Sequence, residues 1–339
     1  MFKWEFKMKS IEDRKKAWCD FYSGKNRTIC QIEMNYGPGP DAVSDRNENK
    51  FIRAMFRYHA QMKCLEWLDD DRVPCVSNFT GTETFAHAFG SPVVYPENNN
   101  PFAKPAVFSA AEASKLKKPR LEDSTLMEIF ELAHRFRKAA PDAVFQLPDI
   151  QSPLDIAALI WEKADFFMAF IDEPQAVKDL VAMTGELLTE FLDLWFKTFG
   201  NEFIAHYPDY YMPSGITLSE DEIGAINCEQ FNEFVYPVLC DLSTHFGGKI
   251  GIHCCAHAKH QWPFIAKTPG LVMLNLVQPD NVVKEASVFF RDGPGQFFNP
   301  NQNTFTDFGA RVVLGKYADS KESALSGLAE IRELSKKYH

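Results

Sequence analysis

Apolar and polar positions follow two different periods along this chain. Between Ile11 and Tyr22, residues Ala17, Trp18 and Phe21 fall on one side of a helical repeat, which predicts an inward-facing helix. Over 49–68, Phe51, Met55, Tyr58, Met62 and Leu65 recur every three or four positions and predict a second. Further helices are expected over 121–140, 156–163, 172–199, 229–246 and 323–337. Asp172-Glu173-Pro174 opens the longest of these, with acidic residues and a proline suited to a helix start. Between them lie short apolar runs that predict strands: Thr28–Met34, 73–79, 144–147, 166–171, 203–206, Ile250–Cys254, 271–277 and 311–314. Residues 80–120 carry several prolines and read as a long loop region.

Eight strands separated mostly by helices imply an α/β fold with a parallel sheet. Several strands are continuous apolar runs, as expected when both faces are covered. With no linker and 339 residues, the pattern predicts one (β/α)8 TIM barrel over 1–339, with 1–27 as an N-terminal helical extension.

Composition narrows the function. A net charge of −10 argues against a nucleic-acid-binding surface. The eight cysteines are scattered, with no CxxC, which points to free thiols in a reducing compartment. No run approaches the ~18 apolar residues of a membrane span, and residues 1–10 have no apolar signal-peptide region. The expectation is a soluble cytoplasmic protein that touches neither nucleic acid nor membrane. Neither GxGxxG nor GxxxxGK[ST] occurs, so nothing calls for a dinucleotide or nucleoside triphosphate.

In a barrel, chemistry sits at the C-terminal ends of the strands. The polar residues just past the apolar runs are Asn35, Tyr36, Asn78, Asp149, Gln151, Asp172, His206, Tyr207, His253, Cys255, Gln278 and Asp280. The best-marked stretch is Gly251-Ile252-His253-Cys254-Cys255-Ala256. Strand alternation turns His253 and Cys255 to one face and Cys254 to the other, into the core. An imidazole and a thiolate side by side suit zinc. On spacing alone the same pair would serve as well as hydrogen-bonded core residues. Asp149 and Gln151 stand beside prolines and read as ligand residues or as turn formers. The acidic run Ser219-Glu220-Asp221-Glu222 reads most simply as a helix N-terminus. Tyr207, Tyr210 and Tyr211 would line a pocket for a planar molecule or pack in the core.

Four motifs occur in a recognisable order: Gly81-Thr82-Glu83 with Ala88-Phe89-Gly90; Asp149-Ile150-Gln151-Ser152-Pro153; Ser219-Glu220-Asp221 before Phe231-Asn232-Glu233-Phe234-Val235-Tyr236-Pro237; and Phe246-Gly247-Gly248 leading into His253-x-Cys255. In these the chain resembles the uroporphyrinogen decarboxylase superfamily from about residue 50 onward. The resemblance implies a (β/α)8 barrel and one of two chemistries. One branch decarboxylates uroporphyrinogen, in tetrapyrrole and porphyrin metabolism, without a cofactor. The other is the methylcobamide:coenzyme M methyltransferase-like branch, where His-x-Cys and a later Cys hold zinc and a thiol accepts a methyl group from a corrinoid.

The decarboxylase branch has arginines in the loop after the first strand and an Asp after the second. Here those places read Asn35-Tyr36-Gly37-Pro38-Gly39-Pro40 and Val76-Ser77-Asn78-Phe79, so the methyltransferase branch fits better. No cysteine follows Cys255. A further zinc ligand must then be His257, Glu220, Asp221, Glu222, Asp280 or His206, with His257 and Asp221 foremost. The expected site is His253, Cys255, His257 and Asp221 for metal, Asp149, Gln151, Tyr36 and Asn78 for catalysis, and His206, Tyr207 and Tyr211 for the cofactor. The resemblance also implies a small-molecule substrate, a corrinoid as substrate or on a partner protein, and a homodimer. A decarboxylase-type lyase and a non-catalytic corrinoid-binding barrel are the alternatives.

Overall fold

The computed structural model describes residues 8–78, 80–96, 100–298 and 309–338, apart from the side chains of Asp280, Phe297 and Phe298. Residues 1–7 of the expected extension and Phe79, the expected end of the second strand, lie outside the described residues.

The chain is a (β/α)8-type barrel. Numbering the parallel strands of three or more residues, these are β1 (Thr28–Met34), β2 (Cys75–Ser77), β3 (Val144–Gln146), β4 (Ile216–Ser219), β5 (Ile250–Cys254), β6 (Leu271–Leu276), β7 (Gly295–Phe298) and β8 (Val312–Ala318). Parallel ladders join β4-β5-β6-β7-β8-β1 in one arc and β2-β3 in the other. Phe203–Ile204 pairs with β3 and carries the antiparallel Tyr211–Met212.

Two seams close the ring where ladders stop. At one, a parallel bridge joins Gln151, just past β3, to Ser219 of β4. At the other, side chains replace a strand. The Asp71 carboxylate accepts the Cys30 N–H at 2.8 Å and the Asp70 carboxylate accepts the Ile32 N–H at 2.9 Å. The acidic turn before β2 thus satisfies donors of β1 that would otherwise be buried without partners.

Helix α1 (Ile11–Tyr22) begins with a capping box between Ser10 and Asp13 and lies across the N-terminal end of the barrel. Trp18 and Phe21 are fully buried, and the Trp18 indole donates to the Asp71 carbonyl at 2.9 Å. A Cβ on Gly295, at the start of β7, would meet the Phe21 ring at 2.4 Å, so glycine is what lets the helix seat this closely. Arg14 is buried with it, paired with Asp70 and donating to the Leu68 carbonyl at 2.6 Å.

The expected strand over 166–171 is instead part of a helix, Lys163–Asp172. Phe166, Ala169 and Phe170 are buried while Met168 and Ile171 are exposed, which is a helical period. A six-residue apolar run cannot by itself separate the two, and the Glu162 side chain, accepting from the Asp165 N–H at 3.0 Å, decided it. Its place in the ring is taken by β4, four residues with two hydroxyls and no apolar run to mark it, and β7 was hidden in the same way. Residues 80–120 hold two short helices, Glu83–Ala88 and Ala110–Ala113, and a two-residue hairpin rather than loop alone.

Two tests follow from this packing. Arg14→Met removes the ion-pair partner of the buried Asp70, so denaturant unfolding should show a loss of about 3–5 kcal/mol; a loss under about 1 kcal/mol would refute the role of the pair. Burial pushes the Cys30 and Cys75 thiols up from 9.0 to about 12. Folding therefore holds them neutral where the unfolded chain would ionise them. Their contribution is full below pH 9.0 and is lost as pH rises towards about 12, at about 1.4 kcal/mol per pH unit for each thiol. Unfolding midpoints between pH 8 and 11 should fall less steeply in Cys30→Ala than in the wild type.

Candidate active site

Parallel pairing sets one row of residues across the C-terminal rim of the barrel. Gln151 pairs with Ser219, Ser219 with His253, and His253 with Asn275. Residues two positions further on, Asp221 and Cys255, lie just past the ends of their strands. Ligand atoms of Asp221, His253 and Cys255 lie within 4.8 Å of one another.

Each member of this trio is held. His253 is 8% exposed, and its Nδ1 lies 2.6 Å from the Asn275 Oδ1, leaving Nε2 for a ligand. The Cys255 N–H donates to the Asp221 Oδ1 at 2.5 Å, and Gln278 donates to the carbonyls of Cys255 and Ala256 at 2.8 and 2.6 Å. Burial, and next the neighbouring Asp221 carboxylate, pushes the Cys255 thiol up to about 12. Asp221 is positioned through its backbone. The buried Asp155 carboxylate accepts the N–H groups of Asp221 and Glu222 at 2.7 and 2.9 Å, and the Glu220 N–H donates to the His253 carbonyl at 2.8 Å. Glu220 is itself 1% exposed and accepts from the Ser152 hydroxyl at 2.8 Å. Its acid group is pushed well up, by burial first and by Asp155 second.

A second polar group stands at the same rim. Asp149 Oδ2 lies 3.1 Å from His206 Nε2, its Oδ1 accepts from the Gln151 side chain at 2.5 Å, and its N–H donates to the Thr80 hydroxyl at 2.8 Å. Tyr207 places its ring edge-on to His253, with centroids 4.9 Å apart, and links the two groups.

The fold thus gathers Asp149, Gln151, His206, Tyr207, Asp221, His253 and Cys255. The other expected site residues lie apart. The strand stops at Cys254, so the alternation that would have aligned His257 with Cys255 ends there. His257 lines a different, open cavity with Lys259, Trp262 and Phe289. Tyr211 lies towards the N-terminal end of the barrel, where its hydroxyl donates to Glu202 at 2.8 Å and its carbonyl accepts from Tyr22. Tyr36 is half-buried, with Arg72 and Asp70 among its charged neighbours, and burial pushes its hydroxyl up. Asn78 is buried and donates to the Ile129 carbonyl at 3.1 Å. The Asp280 side chain, another proposed ligand, is outside the described residues.

Sequence reasoning missed Asn275 and Asp155. Asn275 had a signal, as the lone polar residue inside the apolar run Leu271–Leu276. Asp155 had none of its own. It sits in the first turn of the helix Pro153–Ile160, where an acidic residue is expected for the helix dipole alone.

The donor set fits a zinc ion: one imidazole, one thiol and one carboxylate, three protein ligands with a fourth position left for substrate. No helix among the described residues is long and apolar enough to cross a membrane.

A family profile described as uroporphyrinogen decarboxylase (URO-D) matches residues 72–289. Among solved structures, a methyltransferase from Methanosarcina mazei is similar in fold, with a TM-score of 0.65 at 11% identity, covering 96% of this chain and 98% of that one. No curated protein matches.

The backbone grip of Asp155 can be tested directly. Asp155→Ala leaves two part-buried N–H groups without this acceptor and should lower unfolding free energy by about 1–3 kcal/mol; Asp155→Asn, which keeps one acceptor oxygen, should lose less. Equal losses in the two would show that the carboxylate does not hold this loop.

Proposed function

Because the chain belongs to the uroporphyrinogen decarboxylase family, we propose that it is a zinc-dependent methyltransferase whose metal is held by Asp221, His253 and Cys255. The observation that carries this reading is the convergence of a nitrogen, a sulfur and an oxygen donor within 4.8 Å at the barrel rim. It supports Asp221 as the further ligand. The fold likeness to a methyltransferase at 11% identity is consistent with it and adds nothing about substrate.

A zinc ion bound there would act as a Lewis acid, lowering the pKa of an incoming thiol so that it is nucleophilic near neutral pH. The chain's own residues supply the rest. Asn275 keeps the His253 proton on Nδ1 and orients the ring. The Asp149–His206 pair takes the proton that the acceptor thiol gives up. Gln151 fixes the Asp149 carboxylate from the other side. Tyr207 is half exposed beside His253, placed to contact a planar donor such as a corrinoid. The thiol sulfur then forms a bond to the methyl carbon as the bond to the donor breaks, and the donor keeps that electron pair.

Uroporphyrinogen decarboxylation is the weaker reading. Asn78 stands where that branch has an acid, and its amide is spent on a backbone carbonyl.

Metal analysis after reconstitution under reducing conditions should find about one zinc per chain. Asp221→Ala, His253→Ala and Cys255→Ser should each weaken zinc binding at least tenfold, and Asn275→Leu by about 10–100-fold. A wild-type protein that takes up no zinc would end this proposal. Methyl transfer from methylcobalamin to a small thiol tests the reaction, and conversion of uroporphyrinogen to coproporphyrinogen would favour the lyase instead.

A further inference from the structure

Across the barrel mouth from the donor cluster stand β1 and β8, and strand parity sets which of their side chains enter that mouth. Cys30, Ile32 and Met34 of β1 and Val312, Leu314 and Ala318 of β8 pack together with residues of the C-terminal helix Lys321–Ser335. The alternate residues, Ile29, Gln31 and Glu33 of β1 and Val313 and Tyr317 of β8, therefore face the inside of the ring. Glu33 and Tyr317 are partners in the parallel register near the C-terminal end of the two strands, and both are exposed. Tyr207 reaches the same space. Its ring meets His253 with centroids 4.9 Å apart, and after burial it is the charges of Glu33, Asp209 and Cys255 that push its hydroxyl up. Tyr207 thus stands near both Glu33 and the donor cluster, and all the charged groups acting on it are negative.

The cations nearest in the chain and in the sheet are turned elsewhere. Lys316, one residue before Tyr317, points outward: a Cβ on Gly327 of the C-terminal helix would meet its Cδ at 3.1 Å, and its ammonium pairs with Glu330. Arg72 pairs with Asp209, and its Nε donates to the Ile32 carbonyl at 3.1 Å. Among the described residues Glu33 makes no hydrogen bond and no ion pair. The proposed metal would not answer it either, because zinc held by the Cys255 thiolate and the Asp221 carboxylate is already balanced in charge. A carboxylate offers acceptors alone, and the face of a tyrosine ring is its negative side. An ammonium group satisfies both, by a charge-assisted hydrogen bond and by cation–π contact. An anion would be repelled by the same groups.

We propose that the methyl acceptor carries an ammonium group, held at the barrel mouth by the Glu33 carboxylate beside the Tyr207 and Tyr317 rings. The substrate class is a small aminothiol, with its sulfur towards Asp221, His253 and Cys255 and its nitrogen towards Glu33. β1 lies four strands round the ring from β5, so such a molecule spans the mouth, and Glu33 selects it without touching the reacting atoms. This rests on the proposed function in taking the rim as the acceptor's binding face; the ammonium subsite itself does not need zinc.

Zinc-free protein titrated with propylammonium, followed by broadening of the propyl proton resonances, tests the subsite. Saturable binding is expected, about tenfold or more tighter than that of propanol, which is similar in shape but neutral. It should weaken about tenfold or more in Glu33→Gln, and stay within about threefold of wild type in Tyr317→Phe, which keeps the ring, but not in Tyr317→Leu. Equal binding of amine and alcohol, an unchanged affinity in Glu33→Gln, or no saturable binding to the wild type would each overturn the proposal. In the zinc-loaded protein, kcat/KM for methyl transfer should favour cysteamine over mercaptoethanol and mercaptoacetate, and Glu33→Gln should remove that preference; equal values for the three thiols would overturn the aminothiol assignment. Because the binding measurement is made without metal, its failure is distinct from a failure to bind zinc.

Discussion

Parallel-strand register is the constraint on which this site depends. Gln151, Ser219, His253 and Asn275 stand in one hydrogen-bonded row, contributed by four segments far apart in the chain. A slip of one residue in any pair would turn its side chains to the opposite face. The His253–Asn275 contact at 2.6 Å and the meeting of Asp221 with Cys255 both follow from that row. The candidate metal donors are thus set by backbone pairing before any side chain chooses a rotamer.

Carboxylates do backbone work wherever that pairing is interrupted. Asp70 and Asp71 take N–H groups of β1 at the first seam, and Asp155 takes those of Asp221 and Glu222 at the rim. A carboxylate is acceptor-only and can satisfy two donors at once, which suits a place where two strands diverge. The same substitution of side chain for ladder fixes the floor of the barrel at one seam and the candidate active site near the other. The rim then carries the donor cluster at β4–β5, with the Asp149–His206 pair at the same end of the barrel.

Legibility followed run length and local chemistry. The helix Ile11–Tyr22 and the strands Thr28–Met34 and Ile250–Cys254 were bounded correctly because their apolar periods are complete within their own residues. The run at 166–171 was misread because six apolar residues fit both periods, and β4 and β7 escaped because four residues carry too little pattern. The tyrosines show the same limit. Tyr207 and Tyr211 are four residues apart, yet one meets His253 and the other Glu202 towards the opposite end of the barrel.

By itself the sequence determined the alternation of strands and helices, hence a parallel α/β barrel, and turned His253 and Cys255 to one face by strand parity, a pair that the family resemblance reads as metal ligands. It also placed Asp149 and Gln151 at a strand end. Tertiary structure alone decided that Asp221 rather than His257 lies with the pair, and that Asn275 holds the imidazole. The physical reason is range. Periodicity and parity act over a few neighbouring residues, whereas which strand ends meet depends on how the whole ring closes.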